Sequence, residues 1–175
     1  QILSLPADPP APPVNNYNND EFTDPDVPFG KTWVNARRNN DGEFFRITSW
    51  RGWWMERMVT SEANILEKLI LFWHNHFATR TDISFSGQAS YKHYMTLRKH
   101  ALGDFKQLVY DVTVDPHMLF FLNGLYNGVN APDENYAREL QELFTIGKDN
   151  PEHYTEADVV AAAKVLTGWR LEYET

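Results

Sequence analysis

Apolar residues recur at helical spacing from Trp50 to the end of the chain, and polar residues fill the positions between them. Recurrence at i, i+3, i+4 and i+7 is typical of amphipathic α-helices. Proline, glycine and capping residues divide this stretch into separate elements. The pattern predicts helices over residues 50–58, 64–78, 88–101, 104–111, 115–122, 132–146 and 156–166, and it requires no strand.

Three of the predicted helix starts carry a specific capping signal. Asn64 is followed three residues later by Glu67, and the two can form a capping box. Thr155 is followed three residues later by Asp158, the spacing of a capping box in which side chains and backbone satisfy each other's hydrogen bonds. Asp115 precedes Pro116, and proline is favoured at the first helical position because its missing N–H would have no partner there. These signals fix where the second, the fifth and the last predicted helices begin.

The N-terminal part of the chain has a different composition. Residues 1–30 are rich in proline, asparagine and aspartate, which favours extended backbone over helix. A second irregular stretch is predicted over residues 35–43, because Asn-Asn-Asp-Gly at 39–42 is a turn signal. We therefore expect residues 1–49 to form an extended irregular arm and residues 50–175 a helical region of a larger domain. The fold class is mainly α, an irregular helical array with a proline- and asparagine-rich arm.

Composition narrows the classes of protein to be considered. The 175 residues are 42% hydrophobic, enough for one core. The net charge of −8 argues against nucleic-acid binding, which needs clustered positive potential. The chain has no apolar run of the roughly 20 residues that span a membrane, and without cysteine it has no disulfide or thiolate metal site. Because it begins with glutamine and ends without a closing element, we expect a processed or truncated piece of a longer protein.

Two histidines stand within the apolar stretch 69–77. At about 100° per residue, His76 points into the middle of the apolar face and His74 towards its edge. Their directions differ by about 200°, so a regular helix cannot bring both onto one metal ion. Either His76 is a core histidine satisfied by a carbonyl or carboxylate, or it belongs to a site.

The predicted helix 132–146 carries charged residues beside its core stripe. One flank of this helix carries Asn135, Glu139 and Glu142, and Arg138 lies next to them. A solvated face is one interpretation of this flank. In the other, Glu139 or Glu142 faces a cleft shared with His76 and serves proton transfer or a hard metal. The catalytic candidates are His76, Glu139, Arg138 and Asn135, and the candidate ligands for a divalent metal are His74, His76, Glu139 and Glu142.

The remaining histidines give weaker signals. His93 and His100 are seven residues apart beside lysines, which favours a wet helix surface. His117 and His153 do not have the spacing of metal ligands. The chain contains no glycine-rich phosphate loop, nucleophile elbow or His-Glu-x-x-His zinc motif. The commonest enzyme classes are therefore excluded.

Four motifs in the same order resemble the bacterial family DUF 1800. They are Leu-Phe-Trp-His-Asn-His-Phe at 71–77, Asp-Pro-His-Met-Leu at 115–119 with Asn-Gly at 123–124, the segment 134–147, and residues 154–159 followed by Leu-Thr-Gly-Trp at 166–169. The resemblance covers about residues 50–170 and is greatest to members from Bacteroidetes. His74, Asn75, His76, Glu134, Asn135, Arg138 and Glu139 belong to these motifs.

The resemblance implies a larger, exported protein of unknown biochemical function, often encoded beside a family called DUF 1501. It supplies no established catalytic residues. We expect an extracytoplasmic protein (periplasmic, secreted or on the cell surface) with a structural or interaction role at the cell envelope. The expected partner is a protein, either the remainder of its own chain or a DUF 1501-type protein. The alternative is a metal-assisted hydrolase or oxidoreductase that uses a His/Glu site.

Overall fold

The computed structural model describes residues 9–61, 64–148 and 152–171. Within these ranges the chain is mainly helical, as predicted, and its β-pairing is limited to two isolated bridges. The helices are α1 (Asn40–Thr60), α2 (Leu66–His76), α3 (Thr81–Ser84), α4 (Gly87–Lys99), α5 (Phe105–Thr113), α6 (Pro116–Phe121), α7 (Asn135–Glu139) and α8 (Glu156–Val165). A 3₁₀ turn covers Gly124–Tyr126, and a π-helical segment, Leu140–Thr145, continues α7. None of these helices is long and apolar enough to cross a membrane.

Helix α1 begins ten residues earlier than the predicted helix 50–58, so the irregular stretch expected over 35–43 is confirmed for residues 35–39 and wrong for residues 40–43. The side chain of Asn39 accepts a hydrogen bond from the backbone N–H of Asp41 at 3.0 Å and caps the helix. Asp41 and Glu43 place negative charge in the first turn, where the helix dipole favours it. The same polar residues signal a turn and a helix start, and here they start a helix that crosses the expected boundary at residue 49.

Capping signals located the starts of α6 and α8, whereas the predicted helices 64–78 and 132–146 begin later, at Leu66 and Asn135. Thr155 and Asp158 form the predicted capping box at the start of α8. The Asp115 side chain accepts hydrogen bonds from the backbone N–H groups of His117 and Met118 at 2.9 and 3.2 Å, with Pro116 at the first position of α6. Helix α3 was not predicted, because four residues are too few to show a period.

The predicted regular helix 132–146 is instead a short α-helix followed by a π-helical segment. The backbone N–H of Ile146 donates to the carbonyl of Gln141 at 3.0 Å, five residues earlier. The Thr145 hydroxyl donates to the carbonyl of Leu140 at 2.6 Å, which supports the wider turn. π-Helical turns are rare and shift the side chains that follow them around the helix axis. Side-chain directions derived from an even 100° step therefore do not hold beyond Glu139.

Residues 9–39 contain no helix and lie along α1. Residues 1–8 of the expected arm and residues 172–175 of the expected helical region lie outside the described residues. The Trp53 indole donates to the carbonyl of Ala11 at 2.9 Å, and the Ser49 hydroxyl donates to the carbonyl of Val14 at 2.6 Å. Trp33, fully buried, donates through its indole to Ser49 at 3.2 Å. These bonds satisfy backbone groups that have no sheet or helix partner.

Aromatic packing joins α1, α2 and α4 into the core. The Tyr94 ring of α4 makes edge contacts with Trp50 and Trp53 of α1 at centroid distances of 5.7 and 5.1 Å. Its hydroxyl donates to the buried carboxylate of Glu67 on α2 at 2.8 Å. The tyrosine ring packs against apolar groups while its hydroxyl supplies a hydrogen bond to the buried carboxylate. This packing brings the histidine-bearing faces of α2 and α4 together.

Candidate functional site

His76 lies at the C-terminal end of α2 and turns inward, as predicted. Its Nε2 donates to the backbone carbonyl of Phe144 in the π-helical segment at 3.0 Å. The partner is therefore on the predicted helix, but it is a carbonyl and not the carboxylate of Glu139 or Glu142. Phe144 lies in the last turn of the helical segment, where backbone carbonyls have no intrahelical partner and can accept a bond from a side chain. The bond fixes α2 against residues 140–145.

Aromatic side chains surround the imidazole of His76. Ring centroids of Trp73, Phe77, Phe105 and Phe144 lie 5.9, 4.7, 6.3 and 6.1 Å from its own. His76 is only partly buried, yet the contacts on its inner side are with apolar rings. Such an environment matches the core-histidine interpretation, with one ring nitrogen hydrogen-bonded to a carbonyl.

The predicted flank of charges forms an ion-pair cluster around Arg138 that links α7 to α8. The Arg138 guanidinium donates to Glu134 at 3.0 Å and to Glu156 at 2.9 Å, and it lies 3.6 Å from the carboxylate of Glu142. Asn135 is exposed, and Glu139 is partly buried. No hydrogen bond or ion pair between described residues joins His76 to any of these side chains. The catalytic and metal-binding roles expected for them stay predictions, without a shared centre to support them.

His74 points to a different region of the molecule from His76. Its ring packs edge-on against Trp54 of α1 at 5.1 Å and against His93 of α4 at 5.8 Å between centroids. Burial, with a smaller contribution from the charge of His93, lowers the pKa of His74 to about 4. The imidazole is therefore neutral at pH 7 and lies beside a second histidine.

His93 is 1% exposed, so the expected wet surface on this face of α4 is wrong. Its Nδ1 donates to the carboxylate of Asp115 at 3.1 Å. The same carboxylate caps α6, which means that one buried aspartate holds both α6 and the His93 ring in place. The sequence did carry a signal for burial: His93 shares a helical face with Ala89 and Leu97, four residues before and after it, and both are buried.

His117, 2% exposed, completes a row of three imidazoles. Its ring centroid is 5.7 Å from that of His93, and its Nδ1 is hydrogen-bonded to the Thr79 hydroxyl at 3.0 Å. Burial, followed by the charge of His93, lowers the pKa of His117 to about 3. We call His74, His93 and His117 the histidine row. Spacing along the chain gave no hint of it, because its members come from α2, α4 and α6.

The histidine row contains two buried nitrogens without a partner. Nε2 of His93 and Nε2 of His117 are both shielded from solvent and form no hydrogen bond of ordinary geometry, although the His117 ring also interacts with the backbone of Arg80. Buried polar atoms are nearly always satisfied, so two in one cluster require an explanation. Among residues 9–61, 64–148 and 152–171, no three His, Asp or Glu side chains are already arranged to hold a metal ion. The rigid arrangement thus presents two free nitrogens and not a complete coordination shell.

His100, also expected on a wet surface, is buried as well, but it has a partner. Its Nε2 donates to Asp111 of α5 at 2.7 Å, and Lys99 donates to the same oxygen at 2.8 Å. Gln107 donates to the other oxygen at 2.8 Å. Hydrogen bonds from Lys99 and His100 lower the pKa of Asp111 far below its ordinary range. This arrangement is a satisfied structural cluster that joins α4 to α5.

Comparison with known proteins identifies a family but no characterised relative. No curated protein and no solved structure matches the chain. The family model described as "Protein of unknown function (DUF1800)" matches residues 6–175, nearly the whole chain. The match includes the motifs that carry His74, His76 and Arg138, as well as His93 and His117. The chain therefore belongs to the DUF1800 family of proteins of unknown function.

Proposed function

We propose that this chain is part of an exported bacterial protein with a structural or interaction role at the cell envelope or surface. The observation that carries the proposal is the hydrogen bond from His76 to the Phe144 carbonyl inside aromatic packing. The most unusual polar residue of α2 thereby joins two helical segments. Nε2 of His76 already donates to a backbone carbonyl, so a role in proton transfer would be left to Nδ1 alone.

The surface around this junction supports an interaction role. The side chains of Phe72, Phe105 and Leu143 are 58%, 42% and 58% exposed. Phe72 packs against Trp73 at 5.0 Å, and Phe105 packs against Trp73 at 5.8 Å between centroids, so these exposed groups border the packing around His76. Exposed apolar groups that cluster, in contrast to scattered ones, are typical of protein–protein contacts. We infer that a protein partner covers this surface.

The charge of the chain agrees with a protein partner and not with nucleic acid. The sequence carries 24 acidic against 16 basic side chains. Several of the basic ones, such as Arg46 and Arg138, are occupied in ion pairs with carboxylates. The excess of carboxylates over basic side chains disfavours binding to phosphates. A partner that binds through apolar and hydrogen-bonding groups fits this surface better.

The experiment uses the full-length protein with its natural export signals, followed by cell fractionation and in-cell cross-linking. We expect the protein in the envelope or extracellular fraction, within cross-linked complexes. Leu143→Ser should reduce the complexes at least tenfold, since it removes an exposed apolar contact without disturbing the fold. Val165→Ser is the matched control, because Val165 is 82% exposed on α8 and should not affect the complexes.

His76 variants separate the structural from the catalytic interpretation. His76→Gln keeps an N–H that can reach the Phe144 carbonyl, whereas His76→Ala removes it. We expect a lower melting temperature for His76→Ala, by about 2–8 °C for a loss of one buried hydrogen bond and some packing, and a smaller loss for His76→Gln. A protein that remains in the cytoplasm, or complexes equally abundant in the Leu143→Ser variant and the wild type, would contradict the proposal.

A further inference from the structure

We propose that His93 and His117 bind a divalent transition-metal ion through their Nε2 atoms, with His74 as the adjacent third imidazole. The inference starts from the two unpaired nitrogens. A buried polar atom left without a partner costs roughly 1–3 kcal/mol, and both atoms are found in the same cluster. A single ion between the rings gives both nitrogens a partner at once.

The spacing of the rings fits one ion. A zinc–nitrogen bond is about 2.0–2.1 Å long, which puts the metal about 3.2 Å from the centroid of the ligating ring, so two rings on one ion have centroids at most about 6.4 Å apart. The His93 and His117 centroids are 5.7 Å apart, and those of His74 and His93 are 5.8 Å apart. The His93–His117 separation lies within that limit, so these two residues are the proposed ligands. His74 lies beside His93 as a further imidazole.

The groups behind the two ligands have the character of a metal site. Histidine ligands commonly use their second ring nitrogen to bind a carboxylate or another polar group, which fixes the ring and directs the other nitrogen's lone pair to the ion. His93 binds the Asp115 carboxylate in this way through Nδ1. In the tautomer that leaves Nε2 free for a metal, the His117 Nδ1–H donates to the hydroxyl oxygen of Thr79, at 3.0 Å. In both residues, Nε2 is the nitrogen that is free to ligate.

Other histidines of the chain show that burial alone does not leave Nε2 unpaired. His76 uses Nε2 to bind the Phe144 carbonyl, and His100 uses Nε2 to bind Asp111. The fold therefore satisfies an interior imidazole where a structural role is all that is needed. His93 and His117 are the exceptions. Imidazole nitrogens without carboxylate or thiolate co-ligands suit zinc and its neighbours in the first transition row, so Zn²⁺ is the probe.

The test measures Zn²⁺ binding to the full-length protein after removal of bound metal by a chelator. Isothermal titration should give one equivalent for the wild type, and Co²⁺ should give visible absorption bands that Zn²⁺ abolishes. His93→Gln and His117→Gln should each weaken binding at least tenfold. His100→Gln is the matched control, because His100 is also a buried histidine at the end of α4 but lies outside the row. It should bind as the wild type does.

Two measurements keep the proposal open to refutation if a variant fails to fold, as circular dichroism would reveal. Zinc at one hundred times its dissociation constant should raise the wild-type melting temperature by roughly 5–11 °C. Zinc should also change the imidazole NMR resonances of His93 and His117, but not those of the exposed His153. The proposal is overturned if the wild type binds no zinc at micromolar concentration, if both variants bind like the wild type, or if those resonances do not change. Zinc binding can be confirmed or refuted in this way whether or not the protein has a role at the cell envelope.

Discussion

We expect the substitution Arg46→Met to lower the free energy of unfolding more than the removal of any surface charge does. Arg46 of α1 is fully buried, and its Nε and Nη2 donate to the Asp24 carboxylate at 2.7 and 3.2 Å. Its Nη1 donates to Glu43 at 3.3 Å and to the carbonyl of Arg37 at 3.0 Å. One guanidinium thus ties the irregular residues 9–39 to α1. Methionine fills much of the same space but satisfies none of these acceptors.

The magnitude follows from what the substitution leaves behind. The side chains of Asp24 and Glu43 are 0% exposed, so two carboxylates would remain buried without their cation. Breaking a buried ion pair on one side typically costs about 3–5 kcal/mol. For a chain of this size, each kcal/mol lowers the melting temperature by about 2–4 °C, so the expected loss is roughly 6–20 °C. The pair itself need not stabilise the fold by that amount, because the penalty arises from the uncompensated charges.

Thermal and urea unfolding of the full-length protein at pH 7 measure the effect. Arg80→Met is the matched control, since Arg80 pairs with Asp82 in a solvent-exposed bridge and its loss should hardly change the melting temperature. Burial raises the pKa of Glu43. Its protonated form is thereby favoured in the fold, so the deficit of Arg46→Met should narrow as the pH falls from 7 towards 4. A loss below about 1 kcal/mol for Arg46→Met, or a deficit that widens in acid, would refute the reasoning.

Two further predictions concern backbone contact and a surface cluster. In Gly87→Ala the new Cβ would meet Cβ of Arg46 at 2.9 Å and its backbone carbon at 3.1 Å, so the unfolding free energy should fall by about 1–3 kcal/mol. In Gly52→Ala the Cβ meets nothing within 4 Å inside α1, so stability should rise by up to about 1 kcal/mol, and equal shifts in both would contradict the contact argument. Asp111→Asn should lower the melting temperature at pH 7. Hydrogen bonds lower the pKa of Asp111, so its contribution to stability is fully present above the ordinary value of 3.8. The melting temperatures of wild type and variant should begin to converge below pH 3.8 and continue to converge down to the much lower folded-state pKa. A difference that does not depend on pH would show that charge is not the cause.

The sequence predicted the elements whose cause is local. A capping box needs only residues three apart, and Thr155 with Asp158 forms it at the start of α8. The start of α1 was missed even though its cause is local too. Asparagine before an acidic turn serves equally as a β-turn or as an N-cap, and the choice depends on whether the helix that follows is stabilised. Arg46 and Phe45 supply that stabilisation by burial, and their partners lie more than twenty residues away along the chain.

Candidate sites were predicted less well, because periodicity gives the direction of a side chain but not the identity of its neighbour. The inward direction of His76 was confirmed, while its partner depended on a π-helical segment that a regular 100° step does not contain. For His93 the neighbouring lysines suggested water, although Ala89 and Leu97 on the same face indicated burial. The decisive residue was Asp115, whose cap signal was recognised. A buried capping carboxylate can accept a further hydrogen bond. Because α4 packs against α6, the imidazole of His93 is the donor of that bond. Cap residues that precede buried helices are therefore the positions from which a hidden polar cluster is best sought in such a sequence.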